Sequence, residues 1–183
     1  MDMTGEERIE ASRETVWAAL NDPEVLKRCI PGCESLEKLS DTEMTAKVRL
    51  KVGPVSANFS GKVTLSDIDA PNGYRIAGEG AGGAAGYAKG SASVRLIEDG
   101  TATILKYEVK ADVGGKLAQL GGRLIDATAR KLAGEFFGKF GELVGPPPAG
   151  EESSPQTGAE EKPGVLRRWF SRKKDTPPEN GGA

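Results

Sequence analysis

KLAQLGGRLIDATARKLAGEFFGKFGELV, residues 116–144, is the stretch that decides the fold. Its large apolar residues recur every three or four positions, the spacing that brings side chains onto one side of a helix. A helix of this length would cross a whole sheet. We therefore predict one long C-terminal helix whose apolar stripe packs against a sheet. The stripe consists of Leu117, Leu120, Leu124, Leu132, Phe136 and Phe140.

Upstream of this helix, residues 43–112 alternate between apolar and polar side chains. This pattern is typical of antiparallel strands that turn one face toward water. Glycine, proline and asparagine residues at 53–54, 71–73 and 99–100 mark turns at hairpin spacing. The range is therefore predicted to form a meander of five strands.

The first forty residues add two strands and two short helices. The strands are predicted at 5–11 and 34–39, and the helices lie between them. One helix follows Ser12, and the other is opened by Asp22 as the capping residue and Pro23 at the first helical position. The order of elements predicts an α+β helix-grip domain over residues 1–144. In this domain a seven-stranded curved antiparallel sheet wraps around the C-terminal helix.

A sheet curled around one helix tends to leave a space between them, and glycines in the helix bear on that space. Each glycine inside a helix costs about 1 kcal/mol relative to alanine, so helix stability does not explain them. Either the strands approach the helix closely, or a guest occupies the room that side chains would have filled. The glycines are Gly121, Gly122, Gly134, Gly138 and Gly141.

If the space holds a ligand, the contacts would come from large side chains on the inward faces of the elements. The alternative for each residue is a place in an ordinary packed core. Tyr87 stands out because an aromatic ring among glycines has few packing neighbours. The predicted ligand-binding residues are Phe59, Tyr74, Tyr87, Tyr107, Leu120, Leu124 and Phe136.

Catalytic and metal sites find little support in the sequence. It contains no histidine, so the commonest metal ligand and the commonest general base are both missing. Cys29 and Cys33 cannot fill a zinc shell alone, and we expect them to be structural, with a redox-sensing thiol as the alternative. We predict no catalytic residue, no metal site and no covalent cofactor.

One glycine motif imitates a nucleotide-binding site. Gly78, Gly80 and Gly83 satisfy G-x-G-x-x-G, but the residues that follow alternate like a strand. A dinucleotide fingerprint must open a helix whose N-terminus takes the pyrophosphate. We therefore expect a glycine-rich hairpin, mobile enough to gate the mouth of a cavity.

The segment VLRRWFSRKK, residues 165–174, has the pattern of a membrane anchor. In helical register its apolar residues share one face and its cations crowd the remainder. Each cation near an anionic leaflet is worth about 1 kcal/mol, and the aromatic pair adds interfacial burial. The alternatives are a solvated charged tail or a basic patch for nucleic acid. The predicted membrane-binding residues are Leu166, Arg167, Arg168, Trp169, Phe170, Arg172, Lys173 and Lys174.

The segments on either side complete the domain organisation. Residues 145–164, rich in proline, glycine and glutamate, are expected to be a disordered linker, and residues 175–183 a disordered tail. From residue 145 onward six acids balance six bases, so the net charge of −2 falls on residues 1–144. Acidic residues in the linker would repel phosphates, and we expect no nucleic-acid partner.

Nothing in the sequence resembles a spanning helix or a secretory signal. No apolar run approaches the ~20 residues that a bilayer-spanning helix needs, and the first residues lack a basic and an apolar section. We expect a cytoplasmic protein that attaches peripherally to the inner face of the cell membrane.

These features together resemble the family of the carbon monoxide dehydrogenase G subunit (CoxG-like), in the START-like polyketide-cyclase (SRPBCC) superfamily. The resemblance covers essentially the whole of residues 1–144. Four segments carry it: ETVWAALNDPEVLKRCIPGCESL (14–36), VGPVSANFSGKVTL (52–65), GEGAGGAAGYAKGSASVRL (78–96) and GGKLAQLGGRLIDATARKLAGEFF (114–137).

The resemblance implies a non-enzymatic accessory protein with a START-like fold, a cavity for a hydrophobic ligand and a tail that attaches to the membrane. It implies the aerobic, molybdenum-type carbon monoxide dehydrogenase complex as the partner and a respiratory quinone, menaquinone or ubiquinone, as the ligand. Two alternatives stay open. One is a small enzyme of the polyketide cyclase or dehydratase kind, and the other is a protein-only recruitment adaptor without a ligand.

Overall fold

The structure, a computed structural model, describes residues 1–146. The predicted membrane segment at 165–174 and the tail at 175–183 lie outside the described residues, as does all of the predicted linker beyond Pro146. Within the described part of the chain, no helix is long and apolar enough to cross a membrane.

Seven strands form one antiparallel sheet in the order β1-β7-β6-β5-β4-β3-β2. The predicted seven-stranded sheet is therefore confirmed, and each pair of strands from β2 to β7 that follow one another in sequence is also adjacent in space. The strands are β1 (Asp2–Ile9), β2 (Cys33–Lys38), β3 (Glu43–Val52), β4 (Val55–Asp69), β5 (Gly73–Ala81), β6 (Tyr87–Asp99) and β7 (Ala102–Gly114).

Two short helices, α1 (Arg13–Leu20) and α2 (Pro23–Cys29), connect β1 to β2 as predicted. Both begin where the sequence supplies a capping side chain. The Ser12 hydroxyl accepts a hydrogen bond from the Thr15 backbone N–H at 3.2 Å, and the Asp22 carboxylate accepts one from the Glu24 N–H at 2.9 Å. These caps satisfy amide groups that a helix leaves without internal partners, so local chemistry sets both helix starts.

The C-terminal helix differs from the prediction of one continuous element. It consists of a short helix, α3 (Lys116–Gln119), and a long helix, α4 (Gly122–Val144). Gly121 separates them at φ +86°, a left-handed conformation that ends a right-handed helix and that side chains other than glycine rarely adopt. The expectation that Leu120 continues the stripe of the long helix is wrong, because this residue caps α3.

The packed core lies where the C-terminal half of α4 meets α1, α2 and the sheet. Phe140, Val16 and Cys29 are completely buried there. The Thr103 hydroxyl, also buried, donates a hydrogen bond to the Ala11 carbonyl oxygen at 2.8 Å. This bond satisfies the polar atom that would otherwise destabilise the core.

The connections of the sheet gather at two opposite ends, because successive turns of an antiparallel meander alternate between its edges. We call one the open end; it holds residues 53–54, 82–86 and 115–121. The other, the closed end, holds the turns at 39–42, 70–72 and 100–101 and the link from β1 to α1. Helix α4 starts at the open end and finishes at the closed end, where a Cβ atom placed on Gly145 would lie 3.9 Å from the Glu10 carbonyl oxygen.

Candidate functional site

A cavity lies between the sheet and α4, in two adjoining compartments. The inner compartment, toward the closed end, has a volume of about 340 Å³. The outer compartment, toward the open end, has a volume of about 580 Å³. Both volumes fall in the range of pockets that hold small molecules. Five residues form walls of both compartments: Ile30, Ala46, Val63, Ala133 and Phe136.

Small residues at the centre of the sheet make room for this cavity. The strand register places Gly61, Gly80, Ala88 and Ala111 on the inward face, and all four line the outer compartment. Larger side chains at these positions would fill the space between sheet and helix. The signal in the sequence is the glycine and alanine at alternate positions of four strands, whereas the prediction considered the glycines of the helix.

The helix glycines do not contribute to the cavity. Gly134 and Gly138 lie on the exposed face of α4, and a Cβ atom placed on either would meet no other residue within 4 Å. The strands therefore do not approach the helix closely at these positions, and no guest in the cavity would touch them. Both explanations offered for these glycines are wrong, because the residues face away from the sheet.

The inward face of α4 closes the outer compartment with apolar atoms. Thr128, a polar residue on this face, donates a hydrogen bond from its hydroxyl to the Leu124 carbonyl oxygen at 2.8 Å. Because that hydroxyl proton is already shared with the backbone, the helix presents a mainly apolar wall to a ligand. The lining residues from α4 are Ile125, Thr128, Ala129, Leu132, Ala133, Phe136 and Phe137.

Four of the seven predicted ligand-binding residues lie in the cavity walls. Phe59 lines the outer compartment, Tyr74 and Tyr107 line the inner one, and Phe136 lines both. Leu120 and Leu124 lie outside both walls. A Cβ atom on Gly53 would lie 2.7 Å from Leu124 Cδ2, so this leucine packs against the turn between β3 and β4.

The helix break explains why other residues replace these two leucines. Leu117 of α3 and Ile125 of α4 line the outer compartment. Because α3 ends at Gly121, the positions before and after the break do not share one helical phase. The spacing of three and four residues that connected Leu117 to Leu124 in the sequence therefore does not describe one helix face.

Tyr87 lies on the outer face of the sheet, so the expectation that it points inward is wrong. Its neighbour Ala88 faces the cavity, because successive side chains of a strand point to opposite faces. The Tyr87 ring covers Gly114 from outside and is 51% exposed. The sequence contained this signal: counting back by twos from Ala92, an inward residue, leads to Ala88 and misses the tyrosine.

The inner compartment contains two tyrosines in an apolar setting. Tyr74 packs edge-on against Trp17 with ring centroids 5.2 Å apart, and burial raises its pKa to about 12. Tyr107 stacks on Phe137 at 5.4 Å, and burial, followed by the charge of Glu7, also raises the pKa of its hydroxyl. Both phenols are therefore neutral near pH 7 and can donate hydrogen bonds to a ligand.

Charged side chains are absent from the walls of both compartments, as far as the described residues show. A cavity of this kind favours a guest that is mostly apolar and carries few polar atoms. Within residues 1–146 there is also no cluster of three side chains suited to hold a metal ion.

The two cysteines lie apart from this chemistry. Cys29 is buried, Cys33 is half-buried, and burial raises the pKa of both thiols. The Cys33 thiol donates a hydrogen bond to the Ser35 carbonyl oxygen at 3.4 Å. Protonated thiols are poor nucleophiles, which favours the structural role over the redox-sensing one.

The glycine-rich motif forms a hairpin at the open end. Gly78 and Gly80 belong to β5, a single 3₁₀ turn spans Gly83–Ala85, and the chain then enters β6. No α-helix follows the motif within the described chain, in agreement with the prediction that it binds no dinucleotide. A Cβ atom on Gly82 would meet the Phe59 ring, so the hairpin packs beside a residue of the outer compartment.

Solved structures share this fold. The chain is similar to a conserved protein from Geobacillus kaustophilus, with 29% identity and a TM-score of 0.75 over 79% of this chain and 95% of that one. A START superfamily protein from Mycobacterium smegmatis is 16% identical, with a TM-score of 0.56 over 78% and 98% of the two chains. The Zhui aromatase/cyclase from Streptomyces sp. R1128 is 12% identical, with a TM-score of 0.56 over 79% and 93%. At such low identities the last two show the START-like fold alone.

None of the curated proteins compared with this sequence matches it. The family model for CoxG, the G subunit of carbon monoxide dehydrogenase, matches residues 5–145. This range contains every helix and strand described above except the first three residues of β1. With its START-like fold and apolar cavity, the chain belongs to the CoxG family of carbon monoxide dehydrogenase.

Proposed function

We propose that this protein is a non-enzymatic accessory protein of an aerobic, molybdenum-type carbon monoxide dehydrogenase and carries a respiratory quinone, menaquinone or ubiquinone, in its cavity. The observation that supports a carrier is the apolar cavity that runs from the core to the open end. The name of the family supports the dehydrogenase as the partner.

The free energy of transfer suits a carrier. Burying about 400 Å² of apolar quinone surface contributes roughly 10 kcal/mol before the costs of binding are subtracted. The bilayer offers a comparable gain, so moving the ligand between the two requires a small net free energy. A carrier needs this balance, because a ligand held far more tightly than in the bilayer would not be released.

The two compartments fit the two chemical parts of a quinone. Tyr74 and Tyr107, in the wall of the inner compartment, carry hydroxyls that can donate to the carbonyl oxygens of the ring. The outer compartment has apolar walls that suit the isoprenoid chain. In this arrangement the ring lies deep and the chain points toward the open end.

The two alternative functions have weaker support. A cyclase-like enzyme would need an ionisable group with a shifted pKa in the cavity, and Tyr74 and Tyr107 are the ionisable side chains in its described walls. Both stay protonated near pH 7, so neither is a general base there. An adaptor without a ligand would need no cavity, whereas this interior is open.

Peripheral membrane attachment is the second part of the proposal. The pattern of residues 165–174, with Trp169 and Phe170 beside five cations, supports binding to an anionic leaflet on the cytoplasmic side. The protein would then take quinone from the bilayer and present it to the dehydrogenase.

Native mass spectrometry of the full-length protein, purified from its own host without detergent, tests the carrier role. We expect a bound species with the mass of a quinone, and a melting temperature that rises when menaquinone or ubiquinone is added to the empty protein. A protein that carries no lipid and melts at the same temperature with and without quinone would exclude the carrier.

A further inference from the structure

We propose that the open end of the body is itself a membrane-binding surface, which docks on an anionic bilayer and holds the mouth of the cavity against the lipid. This inference rests on the proposed carrier function and adds a second contact to the one predicted for residues 165–174. It is carried by the distribution of charge between the two ends of the fold.

The open end is basic. Its segments, residues 30–33, 49–56, 80–88 and 112–124, contain four cations and one acid. All four cations are exposed. They come from β3, α3 and α4, so only the folded chain brings them to one end. The cations are Arg49, Lys51, Lys116 and Arg123, and the acid is Asp112.

The closed end is acidic. Residues 8–13, 38–43, 66–73 and 97–102, which form its connections, contain seven acids and three bases. An anionic surface would therefore attract one end of the body and repel the other. The acids are Glu10, Asp41, Glu43, Asp67, Asp69, Glu98 and Asp99, and the bases are Arg8, Arg13 and Lys38.

The cations of the open end are free to meet a partner. The ion pairs of residues 1–146 lie elsewhere: Arg8 with Glu10 and Asp99, and Arg13 with Glu98, for example, join residues of the closed end. None of these pairs includes a cation of the open end. Their charge is therefore not neutralised within the described part of the protein.

The surface between these cations is apolar and made of small residues. Leu120 and Leu124 are half-buried at the rim and lie outside the cavity walls, and Pro54 is exposed beside them. The hairpin at 81–86 consists entirely of glycine and alanine. Apolar side chains framed by cations are the composition that interfacial membrane binding requires. The two leucines that do not line the cavity thus find a place at its rim.

The position of the chain end makes this surface necessary. Residue 146 leaves the body at the closed end, whereas the cavity opens about 35 Å away, the length of the 23 residues of α4. The eighteen residues of 147–164 can span at most about 60 Å, so the segment at 165–174 and the open end can reach one bilayer together. A tether fixed at the closed end does not by itself turn the cavity mouth toward the lipid, whereas the charge polarity does.

Hydrogen–deuterium exchange of the full-length protein with vesicles locates the contact. With vesicles of phosphatidylglycerol and phosphatidylcholine, we expect slower exchange in peptides that cover 50–56, 81–87 and 114–122. Vesicles of phosphatidylcholine alone should give no such protection. Bound protein without protection at these peptides, or with protection at the turns of the closed end, would overturn the proposal.

Charge reversal provides the matched test. Lys51→Glu, Lys116→Glu and Arg123→Glu together should lower partitioning onto anionic vesicles by at least about tenfold, since each cation at the surface contributes about 1 kcal/mol. The control combines Lys38→Glu, Arg95→Glu and Lys139→Glu, three exposed residues away from the open end with the same change in charge. Equal partitioning of the two variants would overturn the proposal.

Two further outcomes separate this inference from other possibilities. If the dehydrogenase protects the open end from exchange and anionic vesicles do not, the surface binds a protein and the lipid assignment is wrong. Quinone binding to the triple variant, measured by native mass spectrometry, should equal that of the unaltered protein. Loss of quinone binding in both would sink the carrier function, while the exchange pattern would still decide the docking surface.

Discussion

Phe136 stacks on Phe140 with ring centroids 5.7 Å apart, and the two rings mark the boundary between the cavity and the packed core. Phe136 belongs to the walls of both compartments, whereas Phe140 is completely buried. Residues four positions apart on one helix face thus have different roles. The hollow part of the protein begins one helical turn before the part that holds it together.

This boundary predicts unequal costs for two similar substitutions. Phe140→Ala should lower the free energy of unfolding by about 3–5 kcal/mol, because it opens a cavity in a filled core. Phe136→Ala should cost less, because its ring already borders empty space, and it should change ligand binding more. Urea unfolding of both variants measures the difference. A larger loss for Phe136→Ala would contradict this division of roles.

Filling the outer compartment should block the ligand. Ala129 lines that compartment, so Ala129→Phe places a ring where a guest would lie. Ala127 is exposed on the same helix and lines neither compartment, so Ala127→Phe is the matched control. We expect native mass spectrometry to show quinone on the control and little or none on Ala129→Phe. Equal occupancy would place the ligand elsewhere.

Two glycines, one just before α4 and one on its exposed face, should respond oppositely to alanine. Gly121→Ala should destabilise the protein by about 1–2 kcal/mol, because φ is +86° and a side chain there is strained although space is available. Gly134→Ala should stabilise it by up to about 1 kcal/mol, since the new methyl group meets nothing and helix propensity improves. Thermal unfolding compares them, and two changes of the same sign would refute the explanation.

Tyr74 should make stability fall at alkaline pH. Below pH 10 its phenol is neutral in both the folded and the unfolded state. Between 10 and about 12 the unfolded chain loses the proton while the folded protein retains it, so unfolding becomes easier as the pH rises. A shift of this size corresponds to about 2–3 kcal/mol when fully expressed.

The Tyr74→Phe variant separates this effect from the titration of lysines in the same range. Urea unfolding at about pH 9 and about pH 11 should show a smaller loss of stability in the variant than in the unaltered protein. An identical pH dependence in both proteins would mean that the phenol does not titrate later in the folded state.

The segment at 165–174 should contribute to membrane binding through charge and aromatic burial together. Replacing Arg167, Arg168, Trp169 and Phe170 by alanine should reduce flotation with anionic liposomes by at least about tenfold. Replacing only the two arginines by lysine keeps the charge and should leave flotation nearly unchanged. Undiminished flotation of the alanine variant would remove this segment from the proposal.

Much of the fold was predictable because its signals are local. Ser12 and Asp22 begin their helices through bonds to amides two or three residues away, and strand alternation needs only neighbouring positions. The prediction failed at Gly121, where the apolar spacing continued across a residue with left-handed backbone geometry. It failed again at Tyr87, where the surrounding glycines received more weight than the two-residue period of the strand.

The sequence alone determined the order and type of the elements, most of their inward residues and the family resemblance, because these depend on short-range patterns. Only the tertiary structure decided that the interior stays open. That outcome depends on small residues from four strands facing one helix, and residues far apart in the chain meet only after folding. The same holds for the basic open end and the acidic closed end, since each collects charges from several separate segments.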